Sequence, residues 1–277
     1  MSEFGQNKPI KVIIPDAIGF VDYFKELKKF SSLIIVFAYQ EIKASYAQTY
    51  FGILWGVIRP LITLFIFTLI FKNFLKVSTE SPYYLFAFCG IIAWNFFFQI
   101  SMNASTAVLV NQNLIRKMYF PKIILPFAKV LVSGVDFGLS LIMVFLLVLF
   151  EGNILGPQIL ALPCFILLNI FCGLAIALWM NTLNIKHRDL NQIIPAILGF
   201  AIWVTPVFYP ADIVPSKLQI LLYANPMAGV IKGYRFAFLG ESFPEWPYWI
   251  SIGLAVLIAI AGASYFAKTE DKMVDYV

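Results

Sequence analysis

The sequence predicts an all-α integral membrane protein with six transmembrane helices, and three observations carry that prediction. The chain is 61% hydrophobic and 13% charged, with a mean hydropathy of +0.84, whereas soluble domains carry about 25% charged residues. Six stretches approach the length of about 20 residues that a membrane helix needs: Leu54–Phe71, Tyr83–Ser101, Val130–Phe150, Ile154–Leu174 (extending toward Asn181), Gln192–Tyr209 and Trp246–Ala267. These runs are uniformly apolar and lack the alternation of a lipid-facing strand. A helix, moreover, satisfies its backbone within one segment. The spans occupy nearly half of the 277 residues. Loops are therefore short, and only the arm 1–52 and the stretch Pro210–Glu245 have room for further structure.

Within the arm, Ile35, Tyr39, Ile42, Tyr46 and Tyr50 recur every three or four residues, with Gln40, Lys43, Ala47 and Gln48 on the other face. That pattern is an amphipathic interface helix, too polar to span, with tyrosines suited to the headgroup layer. It reads either as an anchor that sets the tilt of the first span or as a gate at the mouth of a pathway. The first thirty residues hold no apolar core of the kind a secretory signal needs, so the first span is expected to act as the insertion signal.

The first span opens on Gly52-Ile53-Leu54-Trp55-Gly56-Val57-Ile58-Arg59-Pro60. Glycine permits close helix approach, and Pro60 removes one backbone hydrogen bond and bends the first turns. Arg59 either snorkels to the interface or holds an anionic lipid or substrate phosphate, and the sequence leaves both open. Asp136 in the third span is the one acid deep in an apolar run. It needs a partner, either Arg59, a neighbouring helix or a second subunit, and a structural pair is the expectation. In Trp203-Val204-Thr205-Pro206-Val207-Phe208-Tyr209-Pro210 a proline breaks or bends the end of the fifth span. Beyond it, Leu218–Ala224 is apolar but too short to cross, and Val230, Ile231, Tyr234 and Phe238 form a second short helical pattern ending at Gly240. Apolar pieces of about 10–14 residues read as re-entrant or interfacial helices, here a lid or exit in the outer leaflet.

Orientation follows from Lys and Arg. Lys8, Lys11, Lys25, Lys28, Lys29 and Lys43 precede the first span; Arg116, Lys117 and Lys122 follow the second; Lys186 and Arg188 follow the fourth; Lys268 and Lys272 close the chain. Both termini and the segment Asn113–Pro126 are expected in the cytoplasm. The net charge of +5 is thus a topology signal, with no nucleic-acid partner implied. Cys89, Cys164 and Cys172 fall inside spans and read as inert thiols. No catalytic, cofactor-binding or metal-ligating set is visible. There is no phosphate loop of the Gly-rich Lys-Ser/Thr kind, His187 is the lone histidine, and no His/Cys cluster exists.

Several motifs resemble the membrane subunit of type-2 ABC exporters of the polysaccharide-export branch, which moves lipid-linked O antigen, capsular polysaccharide or teichoic acid. They are Leu54-Trp55 with Arg59-Pro60, the run Asn113-Leu114-Ile115-Arg116-Lys117-Met118-Tyr119-Phe120-Pro121 with Pro126, Arg188-Asp189-Leu190, Asn225-Pro226-Met227-Ala228, and Tyr234-Arg235. The resemblance implies a half-transporter in which two copies form the pathway and two copies of a separate cytoplasmic ABC ATPase bind below, holding the ATP and Mg. This chain itself would hold no cofactor and hydrolyse nothing. The resemblance also implies that Asn113, Arg116, Lys117, Tyr119, Phe120, Pro121 and Lys122 form the coupling segment (111–126), with Tyr119 and Phe120 as aromatic anchors in the ATPase.

On this reading a lipid-phosphate headgroup enters near Tyr39, Lys43, Tyr46 and Arg59. Aromatic faces suit sugar rings, so Trp55, Trp94, Phe97, Phe98, Trp203, Phe208 and Tyr209 are the expected glycan path, although phenylalanine, 28 of the 47 aromatics, is also common against lipid. A drug or lipid efflux permease of the same fold is the alternative. A membrane-embedded sugar transferase lacks the acidic or His cluster it would need, and a passive channel would need no docking segment.

Overall fold

The computed structural model describes residues 28–47, 52–118, 120–152, 155–186 and 189–276. The arm before Lys28 and the residues Gln48, Tyr50, Tyr119, Ile154, His187 and Arg188 lie outside the described set. The described chain is helical: α1 (Ser31–Tyr46), α2 (Trp55–Phe67), α3 (Tyr83–Ser105), the short α4 (Ala107–Val110) and α5 (Gln112–Ile115), α6 (Ile124–Phe150), α7 (Leu162–Lys186), α8 (Leu190–Val204), the short α9 (Gln219–Ala224), α10 (Pro226–Leu239) and α11 (Trp246–Tyr276). A 3-10 turn, Gly52–Leu54, leads into α2, and a π-helical stretch, Thr68–Phe74, extends it.

Five apolar helices among the described residues are long enough to cross a membrane: Gly52–Phe74, Tyr83–Ser105, Ile124–Phe150, Pro157–Asn184 and Trp246–Glu270. The expected fifth span differs. Its helix α8 has 15 residues, about 22 Å at 1.5 Å per residue, short of the ~30 Å hydrocarbon layer. Pro206 is the cause. The residue before a proline is pushed out of the helical region, and Thr205 is extended at φ -84 and ψ 137.

Helix α3 is the centre of the molecule. Leu85, Ala87, Phe88, Cys89 and Ile100 on it have no exposed surface, as expected of a helix that is apolar over most of its circumference. It packs on α2, α6, α7 and α10. Helix α10 is bounded as its sequence dictates. The Asn225 side chain accepts from the Met227 N–H at 3.0 Å, and Pro226 fills the first position, where its missing donor costs nothing. Gly240 closes it in the left-handed conformation at φ 72, its N–H donating to the Phe236 carbonyl.

The two ends of the bundle are knitted differently. At the end that carries the basic loop, Asn181 of α7 accepts from the Val108 N–H at 3.1 Å and donates to the Ala104 carbonyl, while Asn184 donates to the Ser105 carbonyl at 3.1 Å. These amides satisfy the orphan backbone groups where α3 stops. At the opposite end the non-helical run 205–210 is held by side chains from elsewhere. Arg235 donates to the Val207 carbonyl at 2.9 Å, Tyr83 donates to the Phe208 carbonyl at 2.9 Å, and Asn225 donates to Thr205 Oγ1 at 2.7 Å.

Candidate functional site

A cavity of about 490 Å³ lies among α1, α2, α3 and α6. Its existence starts from Gly56 and Pro60. Pro60 has no N–H, so the Gly56 carbonyl one turn earlier loses its helical partner, and the Ser140 hydroxyl of α6 donates to it at 3.3 Å. Gly56 also lets α2 approach α6 closely, since a Cβ there would sit 2.6 Å from Asp136 Oδ1.

Asp136 finds its partner in α1. The Tyr46 hydroxyl donates to Asp136 Oδ1 at 2.5 Å. Burial first, then the hydrogen bond to the carboxylate and its charge, hold the Tyr46 hydroxyl above the ordinary phenol range, with nearby Arg59 opposing weakly. The pairing of Asp136 is therefore structural and made with a neighbouring helix. Arg59 lines the same cavity and sits over the Trp55 ring at 5.6 Å from its centroid. Among the described residues no acidic side chain forms an ion pair with it.

The cavity has a second polar wall that sequence reading missed. Asn95, Gln99 and Asn103 of α3 all line it. Their spacing of four puts them on one helical face, and that spacing, inside an otherwise apolar run, was the available signal. A search for ionisable groups passes over neutral amides. Asn103 makes only a long contact, 3.4 Å, to Ser133 Oγ. Among the described residues the amides of Asn95 and Gln99 have no partner in the chain.

Of the residues expected at an entry, Tyr46 and Arg59 line this cavity. Tyr39 and Lys43 do not; both are exposed, and Tyr39 is 66% so. Of the aromatics expected along a path, Trp55 and Phe98 line the cavity. Trp94, Phe97 and Phe208 are instead packed inside the chain. Trp94 and Phe97 pack on each other at 5.2 Å between centroids, and Phe208 stacks on Phe67 at 3.6 Å. Within this chain they contribute to helix packing. Trp203 is exposed, and Tyr209 is half-buried, its hydroxyl donating to the Val204 carbonyl at 2.9 Å.

The basic segment is part exposed and part buried within the chain. Asn113, Arg116, Lys117 and Met118 are exposed. Phe120, expected to anchor in a partner, is 3% exposed and lies against Phe37 of α1 with ring centroids 5.5 Å apart. Lys122, also expected to face a partner, is buried, and its N–H donates to a Glu270 carboxylate oxygen of α11 at 3.2 Å. An apolar ring beside the start of α6 gains more from filling the gap to α1 than from water. Glu41 of α1 also pairs with Lys129 of α6. Helix α1 is thus tied to the segment and to α6 at three points, through Phe37, Glu41 and Tyr46.

At the opposite end, a cavity of about 290 Å³ borders α10 and includes Glu80, Asp212, Lys232, Glu241 and Glu245. Glu245 pairs with Lys232 at 2.8 Å. That hydrogen bond holds its carboxyl below the ordinary range, whereas burial holds Glu241 above it. Among the described residues no three His, Cys, Asp or Glu side chains come together in a metal-holding group.

The profile of the ABC-2 type transporter family matches residues 32–239. The chain is also similar to curated proteins called O-antigen export system permease protein RfbA. One from Klebsiella pneumoniae is 27% identical over 245 residues, covering 88% of this chain and 94% of that protein. One from Myxococcus xanthus is 24% identical over 257 residues, covering 91% and 98%. The family match includes the cavity, the basic segment and α10, and with its five long apolar helices the chain is a multi-pass inner-membrane protein that belongs to the ABC-2 type transporter family.

Proposed function

We propose that this chain is the transmembrane subunit of an ATP-driven exporter that moves a lipid-linked polysaccharide of the O-antigen type outward across the bacterial inner membrane. Two copies form the pathway, and two copies of a separate ABC ATPase, carrying ATP and Mg, supply the energy. The observation that carries this reading is the cavity. It is a space among apolar helices walled by polar and aromatic side chains, with an arginine that has no ion-pair partner among the described residues, in a chain similar to permeases named for O-antigen export. Uncompensated polar groups among spanning helices are costly and mark a transport route.

The chain crosses six times on this reading, the fifth crossing being α8 completed by the extended run 205–210. Helix α1 lies in the cytoplasmic interface, both termini are cytoplasmic, and α9 and α10 form the outer re-entrant region. Asn113, Arg116 and Lys117 meet the ATPase. Phe120, Pro121 and Pro126 pass its movement to α1 and α6, because a stiff, buried joint moves as a unit. The lipid phosphate docks on Arg59.

Arg59 tests this directly. Arg59→Gln breaks no ion pair within the described chain, so abundance should be unchanged. Losing one charge-assisted hydrogen bond should weaken the response to a phosphate-linked substrate roughly tenfold or more. The readout is the substrate concentration that half-maximally stimulates ATP hydrolysis in the reconstituted complex. An unchanged response, or a parallel loss of abundance, would make Arg59 a structural residue.

A further inference from the structure

We propose that Asn95, Gln99 and Asn103 form a sugar-reading ladder: a row of neutral amides on α3 that hydrogen-bonds the hydroxyl groups of the transported glycan. The inference rests on the export reading above and deepens it, since that reading assigns the lipid phosphate to Arg59 and leaves the sugar without a polar contact.

The ligand class follows from the chemistry of the wall. A primary amide offers two donors and a carbonyl acceptor, and a sugar hydroxyl likewise donates and accepts, so one row of amides serves hydroxyls of varied stereochemistry. The row spans about 12 Å along the helix axis, longer than one sugar ring. Trp55 and Phe98 line the same space and supply flat apolar surfaces for the C–H faces of the rings. Other ligands fit less well. An acyl chain or apolar drug would leave the amides unsatisfied, which is unfavourable away from water. A divalent cation would want several carboxylates, and the one carboxylate here, Asp136, already accepts from Tyr46. The ladder is also well supported. It projects from the most enclosed helix of the bundle, whose opposite face, with Ala93, Phe97, Ile100 and Ala104, is buried, and rigid elements place functional groups more accurately than loops do.

The test uses the complete complex of this chain with its ATPase in lipid vesicles and two probes: a polyprenyl-diphosphate-linked oligosaccharide and the same polyprenyl diphosphate without sugar. In N95L/Q99L the probe concentration for half-maximal ATPase stimulation should rise roughly tenfold for the sugar-bearing probe and stay unchanged for the sugar-free one. The amide-preserving exchange N95Q/Q99N should recover most of the response. Should N95L/Q99L not accumulate, Gln99→Met alone, similar in length and apolar, carries the same comparison with a smaller shift. An unchanged response to the sugar-bearing probe, or an equal loss for both probes, overturns the ladder while leaving the export reading standing. A wild-type complex that responds to neither probe overturns the export reading, and the ladder with it.

Discussion

Replacing Arg235 with leucine should cost the fold about 3 kcal/mol, because it strips donors from two buried carbonyls at once. Arg235 is 4% exposed. Its Nε donates to the Phe86 carbonyl at 3.3 Å, its Nη2 donates to the Val207 carbonyl at 2.9 Å, and its guanidinium carbon sits over the Phe86 ring, 3.4 Å from the centroid. The need arises from Pro206. Once α8 stops at Val204, the run 205–210 has no helical partners for its carbonyls, and its residues 205–208 are buried. Removing one donor from a buried carbonyl costs about 1–3 kcal/mol. The buried charge was itself unfavourable, so the net loss falls below the sum. In detergent-purified protein this should lower the unfolding midpoint by roughly 6–12 °C. Arg235→Lys should recover only part of the loss, because an ammonium cannot span two carbonyls while stacking on a ring. An unchanged midpoint in the leucine variant would mean that water reaches Val207 and that the outer region is open.

Gly90→Ala should destabilise by a similar amount through packing. A Cβ on Gly90 would lie 2.7 Å from the Val207 carbonyl oxygen and 3.1 Å from Val207 Cα, both backbone atoms, and 3.2 Å from Arg235 Nη2. Backbone cannot rotate away as a flexible side chain can, so the run 205–210 must shift and loosen its hold on Arg235. Overpacking of this kind costs about 1–3 kcal/mol, and the upper end applies where backbone is struck. The control is Gly253→Ala in α11, where nothing lies within 4 Å; there the gain in helix propensity should leave stability unchanged or raised by about 0.5–1 kcal/mol. G90A and R235L share Val207, so their losses should not add, and a double mutant should lose less than the sum. Equal midpoints for G90A and G253A would contradict the close approach of α3 to the run 205–210.

Much of this architecture was legible in the sequence. The long apolar runs mark six spans because hydropathy needs no tertiary knowledge, and five of them are helices long enough to cross. Asn225-Pro226 and Gly240 mark the ends of α10 because capping is local chemistry. Pro206 marks the break after α8 for the same reason. What failed to read out depends on partners distant in sequence. Tyr46 lies 90 residues from Asp136, and nothing in the local pattern of either says that they meet. Phe120 sits in a basic, proline-rich loop that reads as a contact surface, but the loop folds back under Phe37. Trp94, Phe97 and Phe208 carry the aromatic chemistry of a glycan path, yet within this chain all three rings are buried against other side chains. Conversely, Asn95 and Gln99 were hidden by their neutrality. Hydropathy averages dilute two amides among phenylalanines, and only the geometry of the cavity shows that both face the same space.

The most direct test of the account is ATP-driven translocation itself. This chain and its ATPase would be reconstituted in vesicles with a fluorescent polyprenyl-diphosphate-linked oligosaccharide, and a membrane-impermeant quencher would report which leaflet holds the sugar. The account predicts ATP-dependent transfer of the sugar to the leaflet opposite the ATPase, weakened by Arg59→Gln. Transfer of the sugar-free lipid at the same rate as the glycan would favour a lipid efflux permease, and the absence of any ATP-dependent transfer would contradict the central claim.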